Sequence, residues 1–233
     1  KTAEQDVLEY IARCAQGDVR RAINLLENAF FVADESVTRE NVDSFHVRVG
    51  NFDDDTHYDL LSCLQKSIRG SDPDAAAFYV AKLLELGDLI GACRRLQVIA
   101  TEDVGLAYPM AAVVTRACCE SAKELGMPEA RLPLANAAIL LATAPKSNSA
   151  HDAVNAALED VKKGLGTVIP QHLQSPLFKG YKYPHDYPNH YTPQQYLPDD
   201  LKDRHYYTFG PNKTESAART YAEAIGSKKP EKK

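Results

Sequence analysis

The stretch GDVRRAINLLENA (17–29) decides how this chain is read. Gly17 closes one apolar-periodic segment and Asp18 can cap the next. Two arginines, Arg20 and Arg21, then fall in the first turn of a helix. Upstream, Val7, Leu8, Ile11 and Ala15 recur at helical spacing. Downstream, Ile23, Leu25, Leu26, Ala29 and Phe30 form a second stripe, and Thr38 opens a short third helix through about Phe45. A helix start that carries arginine suits a phosphate, because the unpaired N–H groups and the positive end of the helix dipole both favour an anion.

Working outward, VRVGNFDDDTHY (47–58) breaks the pattern with Gly, Asn and consecutive aspartates and reads as a domain boundary. Six helical segments follow, at about 56–69, 72–86, 88–104, 108–125, 128–143 and 147–163. Pro73, Pro109 and Pro128 sit in first turns, and Gly70, Gly87, Gly105, Gly126 and Gly164 mark ends. Pro133 falls inside the fifth segment, which then reads as a turn followed by a helix. Linkers of two to four residues are those of antiparallel bundle neighbours, no strand alternation of useful length appears, and no motif repeats. The expected fold is therefore all-α.

From Gly164 the character changes. Eight of the twelve tyrosines lie after residue 180, and YKYPHDYPNHYTPQQYLP (181–198) is too proline-broken for a long helix. It is also too aromatic for a disordered tail. The expectation is an extended arm whose rings pack on the bundle or on another subunit. A last helix at about 213–225 precedes SKKPEKK, expected to be disordered. The resulting division is 1–46, a linker at 47–58, a helical domain at 59–210 with the aromatic arm from about 165, and a terminal helix and tail at 211–233.

The chain has 233 residues, 44 % hydrophobic and 25 % charged, with net charge −5. That balance suits a soluble globule and argues against a bulk nucleic-acid or membrane-surface binder, which would show a basic excess. The acidic character resides in residues 1–170, and from Gln171 onward Lys and Arg outnumber Asp and Glu by ten to seven. Such a mild basic tail solubilises more often than it binds DNA. The five cysteines, Cys14, Cys63, Cys93, Cys118 and Cys119, are odd in number, lack CxxC spacing and read as buried thiols in a reducing compartment. No run of 18 apolar residues exists, so no membrane span is expected. The first residue is Lys1, within helical periodicity, and the expectation is a piece of a larger protein.

The chemistry-bearing patterns are few. HDYPNH (185–190), with His172 and His205, offers imidazoles, but proline-broken loops are not expected to hold H-x4-H on one face, and no metal site is expected. Glu102 and Asp103 of TEDVG point about 100° apart on a helix, so they are not aimed at one substrate. In KSIRGSDPDAA (66–76), Arg69 ends a helix, Gly70 is expected at positive φ, and Asp72 caps the next helix with Pro73 at its first position. In APKSNSAH (144–151), Ser147 or Asn148 is expected to cap, and Lys146 stands beside exposed helix N–H groups. Lys146, Asn148 and Arg69 are thus the candidates for an anion or interface contact. No catalytic residue is proposed. The Walker A pattern GxxxxGK[ST] and an acidic Walker B strand are absent from the sequence, so this chain by itself is expected neither to hold a cofactor nor to hydrolyse ATP.

GDVRRAINLLE after CAQG resembles the lid of clamp-loader-type AAA+ ATPases, in which a lid helix starting Gly-Asp-x-Arg presents the sensor 2 arginine. YDLLSCLQKSIRGSDPDAA, CRRLQVIATEDVGLA, PLANAAILLATAPKSNSAHDAVNAAL, YKYPHDYPNHYTPQQYLP and DRHYY follow in the order of the RarA/MgsA family of replication-associated recombination ATPases. The eukaryotic relative of that family is the Werner helicase interacting protein. The resemblance covers about residues 1 to 208. It implies that Arg20 is the sensor 2 residue, reaching the phosphates of ATP held by a preceding P-loop domain, with Arg21 a surface neighbour. It also implies an AAA+ lid remnant followed by a helical-bundle oligomerisation domain that forms a homotetramer. The P-loop, Walker B, sensor 1 and arginine finger would be missing here. For the parent protein it implies ATP and Mg2+, a DNA-dependent ATPase, action at stalled forks, contacts with fork DNA and single-stranded-DNA-binding protein, no membrane, and a bacterial cytoplasmic, nucleoid-associated location. Two other readings remain open at this point: a helical adaptor that binds a partner protein through the Tyr/Pro-rich arm, and an enzyme using the His/Asp/Tyr groups of that arm.

Overall fold

A computed structural model describes residues 1–15, 19–45, 54–176 and 178–226. Among them the chain is mostly helical, with ten α-helices and one pair of two-residue strands. It divides into two compact units that interleave in sequence: Lys1–Gln97 with Thr115–Thr143, and Val98–Val114 with the chain from Ala144 onward.

The first unit opens with β1 (Thr2–Ala3), which pairs in parallel with β2 (Ser36–Val37), Thr2 opposite Ser36. Helices α1 (Gln5–Ala15), α2 (Val19–Val32) and α3 (Arg39–Phe45) pack around Val7, Ile11, Leu25, Ala29, Ala33, Val37 and Val42. Thr38 starts α3 as expected, accepting from the Asn41 N–H while Asn41 Oδ1 accepts from the Thr38 N–H, a reciprocal cap. Tyr10 donates to Asp43 at 2.6 Å, tying α1 to α3, and that bond together with burial holds the phenol pKa well above its ordinary value. Leu8, Ile23 and Phe30 were expected inside but stand exposed. Three short helices enclose a single seam, which has room for one side of each stripe. Gly17 and Asp18, the expected cap of α2, and residues 47–53 of the expected linker lie outside the described residues, as does residue 46.

Helix α4 (Asp54–Arg69) packs on α5 (Pro73–Glu85), and both pack on α8 (Arg131–Thr143). Leu64, Ile68, Leu83, Leu134 and Leu141 are fully buried here. Asp72 caps α5 by accepting from the Ala75 N–H at 2.9 Å, with Pro73 at the first position. The left-handed residue before it is Ser71 (φ 60°), not Gly70. The reason is the hydrogen-bond pattern. Asp72 N–H reaches Ser67 O and Ser71 N–H reaches Ile68 O, a Schellman closure whose left-handed position falls at 71. Cys93 and Cys119 are buried, whereas Cys14, Cys63 and Cys118 are only partly so.

Helix α6 (Leu89–Ile99) stops earlier than its periodicity suggests. The chain widens into a π-helical turn at Ala100–Val104, tightens into a 3-10 turn at Gly105–Ala107, and resumes as α7 (Met110–Leu125). In the second unit α9 runs Ser149–Lys162 and α10 Lys213–Gly226. Between them the arm is extended, punctuated by single 3-10 turns. In the single chain Tyr181, Tyr183 and Tyr196 are exposed.

Candidate functional site

Two buried carboxylates organise the second unit. Glu215, 1 % exposed, lies in the first turn of α10. The sequence Asn-Lys-Thr-Glu (212–215) is a capping box: Asn212 Oδ1 accepts from the Glu215 N–H at 2.9 Å, and the Asn212 amide donates back to Glu215 Oε2. The carboxylate also reaches far along the chain. Oε2 accepts from Ser147 Oγ at 2.5 Å. Oε1 accepts from Ser149 Oγ at 2.6 Å, Tyr207 OH at 2.9 Å and the Gly210 N–H at 3.0 Å. Burial alone would raise its pKa, but the bonds from Ser147, Ser149, Gly210 and Asn212 outweigh burial and hold it down at about 2.

Asp160, on α9, is the second hub. Arg204 grips it as a fork, Nε to Oδ2 at 2.9 Å and Nη2 to Oδ1 at 3.1 Å, and Tyr206 OH donates to Oδ2 at 3.0 Å. Burial and this bond raise the Tyr206 phenol pKa. The motifs APKSN and DRHYY are thereby explained: Ser147 and Tyr207 converge on Glu215, and Arg204 and Tyr206 on Asp160.

EDVG joins the same assembly. The Ser147 N–H donates to Asp103 O at 2.8 Å, and Thr214 Oγ1 donates to Ala107 O at 2.9 Å. Gly105 adopts φ 46°, and a Cβ there would stand 2.6 Å from the Ser147 carbonyl oxygen. The Ser147 carbonyl thus lies against Gly105, where the π turn ends.

Lys146 sits beside this joint. Its ammonium donates to Ala144 O at 2.7 Å; burial pushes its pKa down, and Asp103 partly offsets that. Asn148 precedes α9 but caps none of its N–H groups, because its amide turns to Asp152 at 2.9 Å. The hydroxyl of Ser147 accepts weakly from the Ser149 N–H, at 3.4 Å. Arg69 ends α4 in the first unit, where a cation complements the helix dipole. Lys146 and Asn148 therefore share one loop, while Arg69 and Arg20 belong to two helices of the other unit. Arg20 lies in the first turn of α2, and its side chain is outside the described residues.

Sequence reasoning missed Glu215 and Asp160. The capping-box spacing at 212–215 was a signal for the first; nothing local marks the second. Among the described residues no group of three or more His, Cys, Asp or Glu is placed to hold a metal ion. No helix among them is long and apolar enough to cross a membrane.

Comparison with known proteins matches both parts of the chain. Residues 70–226, which contain both carboxylate hubs and the EDVG turn, match the family described as MgsA AAA+ ATPase C terminal. Residues 1–69 match the AAA C-terminal domain family. The chain is 44 % identical over 222 residues to Replication-associated recombination protein A of Bacillus subtilis, covering 88 % of this chain and 53 % of that protein. It is 35 % identical over 217 residues to the Escherichia coli K12 protein of the same name, covering 84 % and 48 %. To the ATPase WRNIP1 of Dictyostelium discoideum it is 30 % identical over 241 residues, covering 88 % and 28 %. The chain spans about half the length of the bacterial relatives it matches. With both of its parts matched in order, the chain belongs to the MgsA AAA+ ATPase C-terminal family and corresponds to the C-terminal region of the RarA/MgsA ATPases.

Proposed function

We propose that this chain supplies the lid and the homo-oligomerisation domain of a replication-associated recombination AAA+ ATPase acting at stalled forks. The observation that carries the reading is the outer face of α2. Val19, Ile23 and Phe30 are 71 %, 51 % and 42 % exposed. At about 100° per residue they form one stripe beside the lid core. Arg20 belongs to the first turn of the same helix. An exposed apolar stripe on the helix whose first turn carries Arg20 suits a lid that rests on a nucleotide-holding domain. Arg20 then acts as sensor 2, adding on the order of 1.5–3 kcal/mol through charge-assisted bonds to phosphate. That couples lid position to nucleotide state without binding ATP unaided.

The lid occupies 1–46 and the oligomerisation domain 59–210 in this reading. ATP, Mg2+, fork DNA and single-stranded-DNA-binding protein engage the whole protein, in the bacterial cytoplasm at the nucleoid. The chain alone assembles and does not hydrolyse ATP. The bundle offers an assembly surface: α8 is apolar on its outward side too, with Leu132 and Ile139 exposed at i, i+7 and Leu125 and Met127 exposed just before it. Light scattering at tens of micromolar should give four times the 25.7 kDa chain mass. A monomer overturns the oligomerisation reading. The exposed Tyr181, Tyr183 and Tyr196 favour the adaptor as the second reading. It gains if Tyr181→Ser with Tyr183→Ser abolishes binding of a partner protein while the assembly persists.

A further inference from the structure

Neither carboxylate hub uses HDYPNH (185–190), and this stretch folds in a way its prolines do not suggest. Asn189 and His190 take φ of 56° and 53°, two successive left-handed residues without a glycine. That double step after Pro188 folds the chain back, so the His190 ring meets the His185 ring. The two Nδ1 atoms stand 3.2 Å apart. The ring centroids are 4.9 Å apart, with planes inclined at 56°. Tyr183 packs on His185 at 5.0 Å between centroids. The expectation that this loop would not align H-x4-H is thus corrected for these two rings.

Two N–H groups cannot face each other at that distance, so at least one Nδ1 aims a lone pair at its neighbour. Such a pair holds either a shared proton or a shared cation. Imidazole nitrogens bind first-row dications at about 2.0–2.1 Å, so two of them on one ion at a near-tetrahedral angle lie roughly 3.3 Å apart. Each ring centroid lies about 1.1–1.2 Å behind its nitrogen, which puts the centroids about 5 Å apart when both rings point at one ion. Both observed separations fit that geometry. Both histidines are exposed, so an ion has access.

We propose that His185 and His190 form a two-imidazole chelate, through their Nδ1 atoms, for a borderline transition-metal dication such as Zn2+. Water completes the shell, since no third His, Cys, Asp or Glu among the described residues joins them. Imidazole pairs select zinc, nickel and copper over magnesium and calcium, which prefer oxygen ligands.

The test titrates Zn2+ into the full chain, read by calorimetry and by long-range 1H–15N correlation of the histidine rings. Expected are shifts of the His185 and His190 Nδ1 signals that move together and saturate at one equivalent, with His172 and His205 unmoved. His185→Gln and His190→Gln, each made separately, should lower the affinity about 10-fold or more. The proposal is overturned by unchanged affinity in either variant, by coordination through Nε2, by no saturation below millimolar Zn2+, or by zinc uptake that leaves both rings unshifted and so resides on thiols.

Discussion

Glu215→Gln is expected to lower the unfolding free energy by about 3 kcal/mol at pH 7, although the side chain keeps its size. Glutamine fails in both orientations of its amide. An NH2 at the Oε1 position opposes the Gly210 N–H, and one at Oε2 opposes the Asn212 amide, which is fixed because its own oxygen accepts from the residue 215 N–H. Either way a buried donor faces a donor. The pH dependence supplies a second, sharper readout. The native pKa of about 2 lies below the ordinary 4.5. A depressed carboxylate contributes fully above its unfolded value and loses that contribution as pH falls through its folded value. The gap between the two proteins in urea melts should therefore be widest above pH 4.5, narrow between about 4.5 and 2, and close below. Equal stability at pH 7, or a gap that does not change with acid, contradicts the role given to this carboxylate.

Gly105→Ala should be as damaging from a smaller change, costing about 3 kcal/mol or more. Two costs combine. The backbone at φ 46°, ψ −131° is glycine territory. The added methyl would also stand 2.6 Å from the Ser147 carbonyl oxygen, which is backbone and cannot swing away. Ser147 is pinned on both sides, by its N–H on Asp103 O and its hydroxyl on Glu215. For a chain of this size a loss of 3 kcal/mol lowers Tm by roughly 6–12 °C. Gly126→Ala is the comparison: φ is 69° there, but nothing lies within 4 Å of the added Cβ, so only the conformational cost of about 1–2 kcal/mol remains. Thermal melts that show equal losses for the two variants would remove the steric argument.

The helices were legible because an apolar stripe at 3.6-residue spacing, a proline in the first turn and a glycine at the end act locally. The expected 72–86 and 213–225 correspond to Pro73–Glu85 and Lys213–Gly226. What escaped the sequence depends on distant partners. The widened turn at Ala100–Val104 has no local signal; its contacts come from residue 147, whose N–H meets Asp103 O and whose carbonyl lies against Gly105. The left-handed position slid from Gly70 to Ser71 because the hydrogen-bond register of the turn, not the residue type, sets it. Ile23 and Phe30 fit the helical period, yet periodicity does not say how much surface a three-helix lid can cover. In the candidate site, the motifs were visible as motifs, but that Ser147, Tyr207 and Gly210 share one carboxylate required knowing where residue 215 lies. His185 and His190 were judged by their prolines, and the two left-handed steps that unite them were not foreseen.

The interleaving of the two units has a consequence for synthesis. The first unit has all its sequence once Thr143 is made, whereas Ser147 meets its acceptor only 68 residues after its own addition. At about 5–20 residues per second, roughly 3–14 s pass during which the Ser147 hydroxyl has no carboxylate to donate to. A chain stopped before residue 215 keeps the Arg204 and Tyr206 bonds to Asp160 but leaves the hydroxyls of Ser147, Ser149 and Tyr207 without their acceptor. A chain stopped before residue 215 should thus be read by the quality-control machinery as a folding defect, although both partners of Asp160 are already in place.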